Sequence, residues 1–325
     1  MSTTPETQIV LVTGASGFVG SALCRHLVAH GIDVIGTVRS LPATLVPGVD
    51  YRIVGELGTN TAWSDKVFIG VKVIVHCAAR VHVMNDYAKD PLMEFRRVNT
   101  LGTENLAEVA AHTGVKRLIF LSSVKVNGEN SLSDSPIDET SPTNPQDHYG
   151  ISKLEAEKAL FRIAAETGLE VVILRPPLVY GPSVKGNFLR LLKIVDSGIP
   201  LPFSLVNNQR SLIYLNNLTG AITACLTDPA AAGETYMVSD GENISTAQLI
   251  TQIAYALEKP VRLWPCPLRL LELAGMLARK SDEISKLLGS LCINSNKIRS
   301  ELGWVPSHTL TQGLSVIASW HHRQV

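Results

Sequence analysis

A short apolar run, Ile9 to Thr13, passes directly into Gly14-Ala15-Ser16-Gly17-Phe18-Val19-Gly20 and continues as an apolar-periodic stretch to His30. No other segment restricts the fold so tightly. A buried strand, a glycine turn and a helix N-terminus in that order make an anion site suited to a dinucleotide pyrophosphate. Gly14 allows the tight turn, Gly17 lets a pyrophosphate approach the backbone, and Gly20 lets the helix pack close to the sheet. Phe18 and Val19 belong to the same cradle. The spacing is G-x-x-G-x-x-G rather than G-x-G-x-x-G, so position between strand and helix carries the reading.

The next strand, Asp33 to Val38, ends in Arg39-Ser40, where a nucleotide-binding fold commonly places a carboxylate on the adenosine ribose. No carboxylate stands here to bond a 2′-hydroxyl or repel a 2′-phosphate. The planar fork of Arg39 suits that phosphate, which favours NADP(H) and leaves NAD(H) open. Tyr51 to Val54 and Val73 to Cys77 read as further strands, with Glu56-Leu57 between them at the expected adenine edge. A helix over Leu92 to His112 carries Asn99, placed to order water or backbone near the site. Lys116 to Leu121 is the following strand, and Ser122-Ser123 stand at its carboxyl end, where open α/β sheets bind ligands. Strands alternating with helices predict a doubly wound parallel sheet.

Tyr149-Gly150-Ile151-Ser152-Lys153 opens an alanine- and glutamate-rich helical run through Glu166. Tyr149 and Lys153 are one turn apart, so phenol and ammonium share a face. A cation beside a phenol favours the phenolate. Lowering a tyrosine pKa by about three units takes roughly 4 kcal/mol, more than one exposed lysine supplies. Burial geometry or a cofactor charge must help.

Composition excludes more than it suggests. Lys plus Arg equals Asp plus Glu, 29 of each, and no basic run appears, so no nucleic-acid partner is expected. The five cysteines lack any C-x-x-C spacing and read as reduced thiols of a cytosolic protein. Met1 to Gln8 has no basic and apolar secretion pattern, and Leu268 to Leu277 is too short to span a bilayer. His76 and His82 have no matching cysteine or carboxylate cluster, so no metal site is expected.

Taken together, Thr13 to Gly20, His76-Cys77-Ala78-Ala79, Val98-Asn99-Thr100-Leu101-Gly102-Thr103, Leu121-Ser122-Ser123, Tyr149 to Lys153 and Leu174-Arg175-Pro176-Pro177 resemble the extended short-chain dehydrogenase/reductase family of sugar-nucleotide epimerases, dehydratases and reductases. The resemblance implies a Rossmann-type α/β unit over 1–174 and 209–240, with a smaller, discontinuous substrate domain over 175–208 and 241–325. It implies Tyr149 as acid/base, Lys153 on the nicotinamide ribose, Ser123 on the reacting oxygen, and Ala78, Ala79 and Asn99 beside the cofactor. Ser123 is preferred to Ser122 because Ser123 to Gly128 aligns with the family's S-x-x-V-Y-G segment. Asn187 and Arg210 match segments that hold a substrate diphosphate. A homodimer built from two helices of each cofactor domain is also implied.

Two departures narrow the chemistry. Family dehydratases carry Asp-Glu just after the catalytic hydroxyl, whereas this chain has Val124-Lys125, with Lys125 a candidate substrate contact. Without that carboxylate a 4,6-dehydratase is not expected. A bacterial subgroup with similar segments implies a UDP-sugar substrate, and reduction of a UDP-4-keto-6-deoxy-N-acetylhexosamine in surface polysaccharide synthesis. The alternatives are a UDP-hexose 4-epimerase with tightly held NAD and a non-catalytic dinucleotide sensor. The missing carboxylate after Val38 favours consumed NADPH, hence a reductase.

Overall fold

The computed structural model describes residues 9–59, 61–81, 90–132, 134–278 and 281–324, with backbone alone at 282 and 283. Met1 to Gln8 and His82, considered above, lie outside them. The first half alternates strand and helix: β1 (Ile9–Thr13), α1 (Phe18–Ala29), β2 (Asp33–Val38), β3 (Val49–Ile53), β4 (Val71–His76), α2 (Pro91–Phe95), α3 (Gly102–His112), β5 (Arg117–Leu121), α4 (His148–Thr167) and β6 (Glu170–Arg175). The second half holds β7 (Leu178–Tyr180), α5 (Gly186–Asp196), β8 (Arg210–Tyr214), α6 (Leu215–Ala224), β9 (Thr235–Met237), β10 (Asn243–Ile244), α7 (Thr246–Ala256), α8 (Leu268–Leu277), α9 (Ser281–Leu288), α10 (Asn296–Leu302) and α11 (Leu310–His322).

Seven strands form one sheet in the order β3-β2-β1-β4-β5-β6-β9, every neighbouring pair parallel. This is the doubly wound Rossmann-type arrangement. Parallel strands covered on both faces are apolar throughout, and β1 and β6 are buried over nearly their whole length. One core lies between the sheet and α1 with α6, around Leu23, Leu27, Leu218 and Ile222. The other lies beneath α3 and α4, around Leu106, Ala110, Ala156 and Leu160.

A three-stranded sheet, β10-β8-β7, belongs to a second core with α5, α7 and α11. The segment 209–240 is therefore shared. β8 pairs with β7 and β10, while α6 packs on α1 and β9 extends the large sheet beside β6. Phe18, at the start of α1, packs against the second core and touches both units.

The helix expected over Leu92 to His112 is not uniform. Between α2 and α3, Arg96–Leu101 winds as a π-helix. Side chains here take over backbone and neighbouring groups. Thr103 Oγ1 donates to the Asn99 carbonyl at 2.7 Å, Thr100 Oγ1 donates to the Ser152 carbonyl at 3.0 Å, and Arg96 pairs with Glu155 at 2.6 Å. The wide turn seats Asn99 against α4, as π-turns at functional sites often do. Among the described residues no helix is long and apolar enough to cross a membrane.

Candidate active site

The glycine turn is shaped by contacts that tolerate no side chain. Gly14 has φ +65°, and a Cβ there would meet the Ala78 Cα at 2.8 Å. A Cβ on Gly20 would run into the Gly14 carbonyl, its carbon lying at 2.8 Å. Gly17 is the N-cap of α1, exposed and without a side chain, so the first N–H groups of the helix face outward. These features fit a dinucleotide pyrophosphate, which would lie over Gly14, Gly17 and the start of α1 with Ala78 and Ala79 beside it. Arg39 is exposed at the end of β2. Glu56 is exposed and pairs with Arg97 at 3.2 Å, and Leu57 is buried.

Beneath the cradle runs a buried chain of hydrogen bonds whose directions can be assigned. Thr103 Oγ1 donates to the Asn99 carbonyl, so it accepts from His76 Nε2 at 2.9 Å. Thr13 Oγ1 accepts from the Ala78 N–H at 3.2 Å and donates to His76 Nδ1 at 2.6 Å. The imidazole is thus a fixed neutral tautomer, and burial, then Lys153, lower its pKa to about 3. His76 is a brace under the cofactor loop. Asn99 extends it, its Oδ1 accepting from the Arg80 N–H at 2.7 Å and its Nδ2 donating to the Arg80 carbonyl and to Ser152 Oγ, both at 3.0 Å.

The two serines after β5 face different ways. Ser122 is buried and its hydroxyl donates to Glu157 Oε1 at 2.5 Å. Ser123 is half-buried, and its Oγ accepts the Lys125 N–H at 3.2 Å, which leaves its own proton to donate. Lys153, 2% exposed, donates from Nζ to the Leu121 carbonyl at 2.8 Å and stands 4.2 Å from the Phe120 ring centroid and 5.9 Å from that of Tyr149. Burial lowers its pKa to about 7, against Cys77 and Glu157, which raise it. Tyr149 meets Phe95 edge-on, and burial, then Asp147, push its phenol above the ordinary tyrosine value. A positive charge beside it, from Lys153 or from a bound ligand, favours its phenolate.

The expected substrate contacts are placed differently from one another. Asn187 is exposed in the first turn of α5. Arg210 is partly buried and its Nη1 donates to the carbonyls of Lys286 and Gly289 at 2.9 and 2.8 Å, bracing the end of α9. The Lys125 ammonium is held by Asp147 and by Glu129, the latter at 3.1 Å. Sequence reasoning gave no role to Glu157, whose carboxylate joins Ser122 and Arg175 under Lys153. Its spacing, one turn beyond Lys153, was the available signal. Asp147, the N-cap of α4, was also missed. Among the described residues no group of three His, Cys, Asp or Glu is arranged to hold a metal.

Comparison with known proteins bears on this geometry. The model of the NAD dependent epimerase/dehydratase family matches residues 10–239. The chain is 42% identical over 310 residues to a UDP-glucose 4-epimerase of Vibrio cholerae, covering 95% of this chain and 94% of that one. It is 30% identical over 319 residues to the N-acetyl-alpha-D-glucosaminyl-diphospho-ditrans,octacis-undecaprenol 4-epimerase of Escherichia coli O157:H7, covering 94% and 92%. The crystal structure of the Thermotoga maritima UDP-glucose 4-epimerase with UDP-glucose has the same fold, with a TM-score of 0.79, 22% identity and coverage of 98% and 99%.

Proposed function

This chain belongs to the NAD dependent epimerase/dehydratase family, and from that premise we propose that it catalyses hydride transfer at C4 of a UDP-sugar. The observation that carries the reading is the convergence of Ser123, Tyr149 and Lys153 at the carboxyl end of β5, beside the glycine cradle. When bound, the dinucleotide gives or takes the hydride. Ser123 donates its hydroxyl proton to the C4 oxygen while its Oγ accepts the Lys125 N–H. Tyr149 gives its proton to, or takes one from, that oxygen, and Lys153 stabilises the phenolate. Asn187 and Arg210 meet the substrate diphosphate. The units 1–174 with 209–240 and 175–208 with 241–325 bind dinucleotide and sugar nucleotide respectively, in a cytoplasmic homodimer.

The direction we favour is reduction of a 4-keto-6-deoxy-N-acetylhexosamine linked to UDP. Its support is Arg39, exposed at the end of β2 with no carboxylate beside it in sequence, which suits the 2′-phosphate of NADPH. A second reading, 4-epimerisation with retained NAD, is supported by the V. cholerae relative. Incubation of the protein with NADPH and the keto-sugar nucleotide, with NAD and UDP-glucose in parallel, separates the two. Stoichiometric NADPH loss supports the reductase. Conversion of UDP-glucose to its C4 epimer without net oxidation supports the epimerase and removes the role given to Arg39. Neither reaction removes the C4 reading.

A further inference from the structure

Lys125 stands where the dehydratases of the resemblance carry a carboxylate, yet its side chain turns to protein groups. Three contacts of this one residue join the serine loop to the tyrosine helix. Its N–H donates to Ser123 Oγ at 3.2 Å, within a 3-10 turn over Val124–Val126. Its carbonyl approaches the first turn of α4 so closely that a Cβ on Gly150 would lie 2.7 Å from the carbonyl oxygen. Its ammonium grips the carboxylate of Asp147, whose other oxygen accepts the Gly150 N–H at 2.7 Å and so caps α4.

We propose that Lys125 is a positioning residue: it holds Ser123 and Tyr149 in register and neutralises the Asp147 carboxylate that caps the tyrosine's helix. The inference rests on the roles given to Ser123 and Tyr149 above. Asp147 is two residues from Tyr149 and acts against its phenolate. An N-cap carboxylate is worth keeping for the helix, but uncompensated it opposes the charge the phenol must carry. Lys125 reconciles the two. Glu129 completes the arrangement, pairing with Lys125 at 3.1 Å and with Lys286 of α9 at 3.3 Å, which ties the device to the α8–α9 segment.

Asp147 is the charge that acts on the Tyr149 phenol, and other charged groups stand on the elements around it. Lys153 lies on its own face of α4, with Cys77 and Glu157 acting on that lysine. Arg80 sits 5.5 Å from the centroid of Phe95, the ring that meets Tyr149, and His148 lies 6.4 Å from that same ring. Lys125, Glu129 and Lys286 are linked by ion pairs that lead to Asp147. Of these cations, Lys125 alone is paired with Asp147 among the ion pairs of the described residues.

The test replaces Tyr149 with a polyfluorinated tyrosine, whose phenol titrates well below tyrosine's, and follows that ring by fluorine NMR with oxidised dinucleotide bound. Lys125→Gln is expected to raise the phenol's titration by about one pH unit, the order expected of one charge released at roughly 10 Å. Lys125→Arg retains the original value. Asp147→Asn keeps the cap, since Asn caps as well as Asp, and lowers the titration. Adding Asp147→Asn to Lys125→Gln brings the phenol back. In the unlabelled enzyme Lys125→Gln lowers kcat about tenfold with KM for the sugar nucleotide changed less than about twofold.

An unmoved phenol in Lys125→Gln, or a double variant that fails to return it, overturns the proposal. A raised KM with unchanged titration does so too, and makes Lys125 a substrate contact. Because the titration needs no sugar, a shifted phenol with no turnover of any nucleotide sugar would count against the proposed function alone.

Discussion

Arg175 and Glu157 lock together beneath the Tyr149 helix, Nε to Oε1 at 3.0 Å and Nη2 to Oε2 at 2.5 Å, with side chains 8% and 3% exposed. The same carboxylate accepts from Ser122, and its helix carries Lys153 one turn earlier. β6 is thereby fastened to α4, the helix that carries Tyr149 and Lys153.

Glu157→Gln leaves Arg175 buried without its counter-charge, which should cost about 3–5 kcal/mol of stability in denaturant unfolding. Glu157 also raises the pKa of Lys153. Its removal lowers that pKa further, so the alkaline limb of the kcat/KM profile moves to lower pH. A stable variant with an unmoved limb would separate Glu157 from the site.

Gly20→Ala places a methyl group on the Gly14 carbonyl, and neither backbone has room to yield. Overpacking of this kind costs about 1–3 kcal/mol. The glycine turn opens, and dinucleotide affinity should fall at least about tenfold by fluorescence titration. Gly220→Ala is the control for an added methyl group, because Gly220 lies in α6 without a positive φ and a Cβ there meets nothing nearer than Trp304 Nε1 at 3.4 Å.

His76 gives the protein an acid sensitivity of definite sign. Its folded pKa, about 3, is depressed below an ordinary value of 6.5. Its contribution is complete above pH 6.5 and is lost as pH falls toward 3, because the unfolded chain binds the extra proton. The slope is about 1.4 kcal/mol per pH unit across that window. His76→Gln should flatten the dependence of unfolding free energy on pH there, and an unchanged slope would mean that other groups set it.

The parallel sheet was legible because β1, β2, β4, β5 and β6 are apolar runs buried over most of their length and its first turn admits only glycine at the tight contacts. Alignment alone prefers Ser123 to Ser122, and the structure gives the two hydroxyls different partners, the Lys125 N–H for Ser123 and Glu157 for Ser122. What could not be read arises from contacts between distant segments. Asn99 reaches the Arg80 backbone and Ser152, which draws out the π-turn where period alone gives an α-helix. The pairing of Lys125, a candidate substrate contact, with Asp147 could not be read, because Asp147 approaches it only once the loop before α4 folds back. Arg210 meets the end of α9, a contact that no local pattern encodes.

Arg39→Asp should exchange dinucleotide preference, because a carboxylate at the end of β2 bonds a 2′-hydroxyl and repels a 2′-phosphate. The NADPH to NADH affinity ratio is expected to fall more than about tenfold, a difference of about 1.4 kcal/mol. Direct titration of each reduced dinucleotide reads it. A ratio that does not move would leave Arg39 as a solvated residue.

The most direct test of chemistry at C4 follows deuterium. Dinucleotide reduced with deuterium at the transferring carbon is supplied with the keto-sugar nucleotide, and UDP-glucose deuterated at its sugar C4 is supplied with oxidised dinucleotide. Product labels are then located by NMR. Deuterium is expected at C4 of the product sugar in whichever arm turns over, with transfer lowered at least about a hundredfold in Tyr149→Phe. Deuterium at another carbon, or transfer that survives loss of the Tyr149 hydroxyl, would contradict it.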